Sequence, residues 1–87
     1  MTTYRAQLAK NADGTWRLFV VLPGRVADWP TEEFGTAEIP TVEARAEALE
    51  MLGYEAPAGA VTWDWAEDVD DDGSVLLMAA TEVRKAG

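Results

Sequence analysis

The chain has 87 residues, 48% of them hydrophobic, with no histidine, no cysteine, and 16 acidic against 7 basic residues for a formal net charge of -9. Those absences exclude disulfide frameworks, thiolate zinc sites and histidine-based catalysis, and the charge repels phosphate backbones and anionic membrane surfaces. The hydrophobic share is too high for a disordered acidic chain, so one small domain over residues 1–87 with a modest core is expected.

Tyr4 to Ala9 alternates, with Tyr4, Ala6 and Leu8 on one side and Arg5 and Gln7 on the other, which predicts a half-buried strand. Asp13-Gly14 suits a tight hairpin turn. The return strand runs from Trp16 to Leu22. Its two faces, Trp16, Leu18, Val20 and Leu22 against Phe19 and Val21, are both apolar, so it is expected inside the sheet or covered on both sides. Pro23-Gly24 ends it. Arg25 to Phe34 reads as irregular, and Thr36 to Ile39 as a short third strand.

A helix follows, capped by Thr41 and ended by Gly53. Its expected buried stripe is Val42, Ala46, Leu49 and Leu52, with Glu43, Glu47 and Glu50 clustered on another face. Tyr54 to Gly59 reads as a connector. Val61, Trp63 and Trp65 alternate with Thr62 and Asp64 as a further strand whose tryptophans are read as core. Glu67 to Gly73 is an acidic turn ending in Asp72-Gly73, Val75 to Val83 is the last strand, and Arg84 to Gly87 reads as a frayed tail. The fold class expected is therefore α+β: an antiparallel sheet of four to five strands with one helix packed on it, in the order β-β-(β)-α-β-β.

The chemistry-bearing residues are few. Ser74, the sole serine, sits beside a turn glycine with no histidine to activate it. Paired carboxylates are abundant, but a domain this small has little room for a cleft between them. No enzymatic activity and no cofactor are expected. Asp68, Asp70 and Asp72 with Gly73 resemble the opening of a calcium loop. Ala79 stands where the closing bidentate carboxylate would be, so a solvated acidic hairpin tip is favoured and the three aspartates remain a weak calcium candidate.

The start of the chain lacks the basic and apolar regions of a signal peptide, and its longest apolar run, Val75 to Ala80, falls far short of the roughly 20 residues that span a bilayer. Cytoplasmic localisation follows as an expectation. The cations Arg5, Lys10, Arg17, Arg25, Arg45, Arg84 and Lys85 are scattered, so neither direct nucleic-acid binding nor membrane binding is expected.

Residues 4 to about 65 resemble the small HicB-like antitoxin domain. The strand pair opens at Tyr4-Arg5-Ala6-Gln7 and turns at Asp13-Gly14-Thr15-Trp16. Pro23-Gly24 ends the second strand. Thr36-Ala37-Glu38-Ile39-Pro40-Thr41-Val42-Glu43-Ala44-Arg45-Ala46-Glu47-Ala48-Leu49 is similar to that family's short third strand and alanine-rich helix. The Pro-Gly loop is longer than the family's, and the last hairpin is an extension. The resemblance implies a β-β-β-α-β core without catalysis that binds and masks a small basic RNA-cleaving toxin.

The functional expectation is a non-enzymatic, acidic protein-binding domain, antitoxin-like in form, whose partner is a basic protein. Trp29 is the aromatic anchor and Glu32, Glu33, Glu43, Glu47 and Glu50 are the steering carboxylates. Trp29 folding back as a lid over the core is the competing reading of that residue. The alternative function is a small bacterial or phage structural protein that forms a homodimer or larger assembly through its sheet.

Overall fold

The computed structural model describes residues 2–55, 63–69 and 71–86. Its elements are β1 (Tyr4–Lys10), β2 (Trp16–Val21), β3 (Thr31–Phe34), α1 (Val42–Leu52), β4 (Tyr54–Glu55), β5 (Asp64–Val69) and β6 (Val75–Lys85). A single turn of 3-10 helix at Val26–Asp28 precedes β3.

The two Asp-Gly hairpins form where the sequence places them. Gly14 and Gly73 take φ values of 91° and 87°, the left-handed region that a glycine enters without a Cβ clash. In each turn the aspartate locks the loop. Asp13 Oδ1 accepts from the Thr15 N–H at 2.9 Å, and Asp72 Oδ1 accepts from the Ser74 N–H at 2.9 Å.

All pairings are antiparallel, in the order β3-β2-β1-β6, with β5 and the two-residue β4 sharing the far edge of β6. β6 organises the sheet. One of its edges pairs with β1 from Tyr4↔Val83 to Ala9↔Met78. Its other edge pairs first with β5, from Val69↔Val75 to Asp64↔Ala80, and then with β4 at Glu55↔Arg84 and Tyr54↔Lys85. A strand of 11 residues used along both edges carries its twist through the whole sheet, which curls into an antiparallel half-barrel.

This corrects the α+β expectation. Strands take 47% of the described residues, and the only α-helix among them is 11 residues long. Such a helix reaches about 16 Å, whereas an 11-residue strand reaches about 36 Å. The fold is mostly β because the helix covers only one end of the sheet's inner face.

That covered end is the core. The register stacks Ala6 between Val20 and Thr81, and Leu8 between Leu18 and Ala79. Leu8, Leu18, Val20 and Val83 are fully buried, and Leu49 of α1 and Tyr54 of β4 close over them. Tyr4 packs edge-on against Tyr54 at 5.7 Å between ring centroids. β2 is interior to the sheet, as its two apolar faces predict.

α1 begins and ends as expected. Thr41 Oγ1 accepts from the Ala44 N–H at 3.1 Å, and Gly53 at φ 90° sends its N–H back to the carbonyls of Leu49 and Glu50. The buried stripe is rotated, however. Arg45, Ala48 and Leu49 face inward and Leu52 is half-buried, whereas Val42 is exposed.

Three further expectations are corrected. The third strand is Thr31–Phe34 and not Thr36 to Ile39, because the chain joins the edge of β2 directly after Trp29-Pro30, where the Val20 N–H donates to the Pro30 carbonyl at 3.0 Å. The final strand runs on to Lys85, and the Ala86 N–H donates to the Gly53 carbonyl at 2.9 Å, so the chain after Val83 is tied to the end of α1. β5 continues to Val69 through what reads as an acidic turn. The connector around Pro57 and Gly59, together with Val61, Thr62 and Asp70, lies outside the described residues. Among the described residues no helix is long and apolar enough to cross a membrane.

Candidate protein-binding surface

Burial changes abruptly along the inner face of β6. Successive inward residues are Val75, 62% exposed, Leu77, 36%, Ala79, 1%, Thr81, 8%, and Val83, 0%. The first two lie beyond the reach of α1. Their partners on β5 are Val69, opposite Val75, and Glu67, opposite Leu77. Trp65, opposite Ala79, occupies the boundary and is 45% exposed. Trp65, Val69, Val75 and Leu77 thus share one open apolar strip on the same sheet face as the core, with the Glu67 carboxylate among them.

A tryptophan cluster anchors this strip to the core. Trp16 is buried and donates its Nε1–H to the Ala37 carbonyl at 3.2 Å. Trp65 meets it edge-on at 6.5 Å. The Arg45 guanidinium lies 5.2 Å from the Trp63 ring centroid and 5.6 Å from that of Trp65. Arg45 is only 7% exposed, and its Nε–H donates to the Pro40 carbonyl at 2.9 Å. It forms no ion pair among the described residues, and burial lowers its pKa from the ordinary arginine value. Two aromatic faces and a carbonyl take the place of a carboxylate in compensating the buried charge. Expecting both tryptophans in the core is therefore half right. Trp63 packs half-buried against the core, with its indole N–H enclosed and without a hydrogen-bond partner among the described residues, while Trp65 leans out of it.

The sequence-derived contact residues do not converge on one patch. Glu43, Glu47 and Glu50 are exposed together on α1 and form no ion pair among the described residues. Glu32 lies opposite Leu18 and therefore on the inner face, whereas Glu33 lies opposite Arg17 and points to the outer face. There Glu33 accepts from the Asn11 side-chain amide at 3.1 Å. Trp29 also belongs to the outer face, away from α1. Its ring stacks on Phe19 at 5.7 Å and 15°, and its Nε1–H donates to the Leu22 carbonyl at 2.8 Å. Trp29 is thus neither a free anchor nor a lid over the core: it caps Phe19 on the opposite side of the sheet. With Arg17, Val26 and Thr31 the two rings line a cleft of about 160 Å³.

A larger shallow cleft, about 410 Å³, is lined by Thr3, Tyr4, Arg5, Asp64, Ala80, Thr81 and Glu82. Among the described residues no group of three or more side chains is placed to hold a metal ion. Of the calcium candidates, Asp68 accepts from the Val69 N–H and Asp72 from the Ser74 N–H, so both carboxylates serve the local backbone. Asp70 lies outside the described residues. Hydrogen bonds from Ser74 hold the Asp72 carboxyl below the usual aspartate value, as those from Thr15 do for Asp13.

The open strip and Arg45 were not legible as a site. The signals that point to them are the three tryptophans at 16, 63 and 65 and the helical spacing of 45, 48, 49 and 52.

No curated protein and no solved structure matches the chain. A family match exists, and it neither supports nor conflicts with the resemblance to HicB-like antitoxins. That match covers residues 2–87, and the chain belongs to the family described as a family of unknown function, DUF6303.

Proposed function

We propose that this chain is a non-enzymatic, acidic protein-binding domain whose partner is a basic protein. The observation that carries the reading is the open apolar strip of Trp65, Val69, Val75 and Leu77, left uncovered beside a well-packed core. Exposed apolar surface of this kind, next to carboxylates, is characteristic of protein docking sites. The sign of the partner follows from charge. A net charge of -9 steers a basic protein toward the domain.

The finer form of the proposal is a cytoplasmic, antitoxin-like inhibitor. It rests on the resemblance of residues 4–65 alone. Glu43, Glu47 and Glu50 then act in steering, and Glu43→Lys with Glu47→Lys slows association at low salt.

The test is affinity capture at low and high salt with the wild-type chain and with Leu77→Glu. We expect a small basic protein to be retained by the wild type at low salt, released at high salt, and not retained by the variant. Recovery of the chain alone overturns the reading in favour of the second one, self-assembly through the same strip. A mass that rises with concentration and falls back to the monomer in Leu77→Glu is the signature of that alternative.

A further inference from the structure

β5 is an open sheet edge. β6 takes one side of it, and among the described residues no strand pairs with the other. All six residues of β5 are exposed. Along this edge the side chains sort by charge and face. Trp65, Glu67 and Val69 project to the inner face, and Asp64, Ala66 and Asp68 to the outer. The other edges, β3 and the two-residue β4, are shorter and are packed by α1, which leaves β5 as the accessible template.

An open edge presents unpaired backbone N–H and C=O groups that another strand can complete. The side chains decide which strand. A second copy of β5 would bring three carboxylates, Asp64, Glu67 and Asp68, against three more across a spacing of about 5 Å. Like charges at that separation oppose pairing, so the acidic edge excludes self-association while admitting a cationic strand. The inner-face strip adds a second requirement, because a strand laid beside β5 sets every other side chain next to Trp65 and Val69.

We propose that β5 is a receptor edge for an extended segment of the basic partner, a segment that alternates apolar with Lys or Arg residues and joins the sheet as an additional antiparallel or parallel strand. This rests on the protein-binding reading above and specifies its chemistry. The apolar residues of the segment pack beside Trp65 and Val69, the β5 side of the strip, and its cations face Asp64 and Asp68 on the outer side. The mode differs from a groove that binds a helix in one measurable respect: the guest's own backbone N–H groups are required.

The probe is a blocked heptapeptide alternating Lys or Arg with Val, in three forms: the parent, the same peptide N-methylated at every residue so that neither edge can donate, and a version with Glu in place of each cation. Binding is followed by tryptophan fluorescence and by amide hydrogen exchange. The parent should bind and slow the exchange of every second amide of β5, whereas the N-methylated and acidic peptides should not bind. Asp64→Lys with Asp68→Lys, two exposed positions outside the core, should weaken the parent on the order of tenfold. Equal binding of the N-methylated peptide overturns strand addition and leaves a basic partner held by charge alone. A β5-mediated dimer of the free chain overturns the exclusion of self-pairing. No binding of any cationic peptide, combined with failure of the salt-dependent capture described above, removes both readings together.

Discussion

One strand, β6, runs through two environments. From Ala79 to Val83 its inward residues are roofed by Leu49 and Tyr54, while Val75 and Leu77 on the same face meet solvent. Nothing in the local alternation distinguishes the two halves. What differs is the helix above, which ends its coverage near Trp65. Apolar patterning therefore says which face is inward, and the reach of the covering element says whether inward means buried.

The sharpest way to break this comparison is to truncate one leucine beneath the roof, on β2, and one beyond it, on β6. Leu18→Ala, from a fully buried position, should destabilise the fold by about 3 kcal/mol through lost transfer energy and an unfilled cavity. Leu77→Ala, a third exposed, should lose less than about 1 kcal/mol. Urea unfolding midpoints at constant slope measure both. Equal losses would mean that the hairpin half is covered after all.

The next effect lies on the boundary. Arg45→Ala removes a guanidinium that touches both Trp63 and Trp65 and leaves a gap where its stem packs. A loss of about 2 kcal/mol is expected from the two cation–π contacts and the packing. Tryptophan emission should shift to the red as the indoles gain water. Arg45→Lys should recover only part of the loss, since an ammonium does not stack flat on a ring. Full recovery would reduce the role of Arg45 to charge alone.

Within the covered half, Thr41→Ala should cost about 1 kcal/mol, because the Ala44 N–H loses its side-chain acceptor at the start of α1. The same unfolding titration reads it. If the helix is held entirely by its core contacts, the variant will be indistinguishable from wild type.

Thr41 and Gly53 were legible because caps are local chemistry. So were the two Asp-Gly turns, the alternating strand β1 and the strand β2 with its two apolar faces. β3 was not, since Thr31-Glu32-Glu33-Phe34 carries no apolar alternation and is extended only because it lies along the edge of β2. Arg45 was missed because an arginine in a helix bearing Glu43, Glu47 and Glu50 reads as one more surface charge. Only Trp63, just before β5, and Trp65, within it, both distant in sequence, draw it inward. The overestimate of the helix layer has the same origin. A short amphipathic helix and a set of strands are compatible with a flat two-layer sandwich, and the curl arises from the double pairing of β6, a long-range property. The residues proposed for contact fared likewise: the glutamates of α1 are exposed, but Trp29 is turned to the opposite face by Phe19, a partner invisible in the local pattern.

The smallest expected effect uses the one feature that both halves share. Each hairpin turn contains an aspartate two residues before the N–H that it accepts, Asp13 before Thr15 and Asp72 before Ser74, and both carboxyls are held below the ordinary aspartate value of 3.8. A folded pKa below the unfolded one means that these bonds contribute fully above the unfolded value and are lost as pH falls through the folded value. Acidification from pH 5 to below the ordinary value should therefore loosen both turns, and the consequences should differ. The β1–β2 turn leads into Trp16 and Leu18, whose burial holds the strands together without it. The β5–β6 turn leads into Val75 and Leu77, which have only the sheet's hydrogen bonds. Amide exchange, corrected for the intrinsic effect of pH, should then show protection falling first in Leu76 and Leu77 while Leu18 and Phe19 stay protected. Asp72→Asn should remove the pH dependence from the second hairpin alone. Parallel loss in both hairpins would show that the turns, and not the roof supplied by α1, set the difference between the two halves.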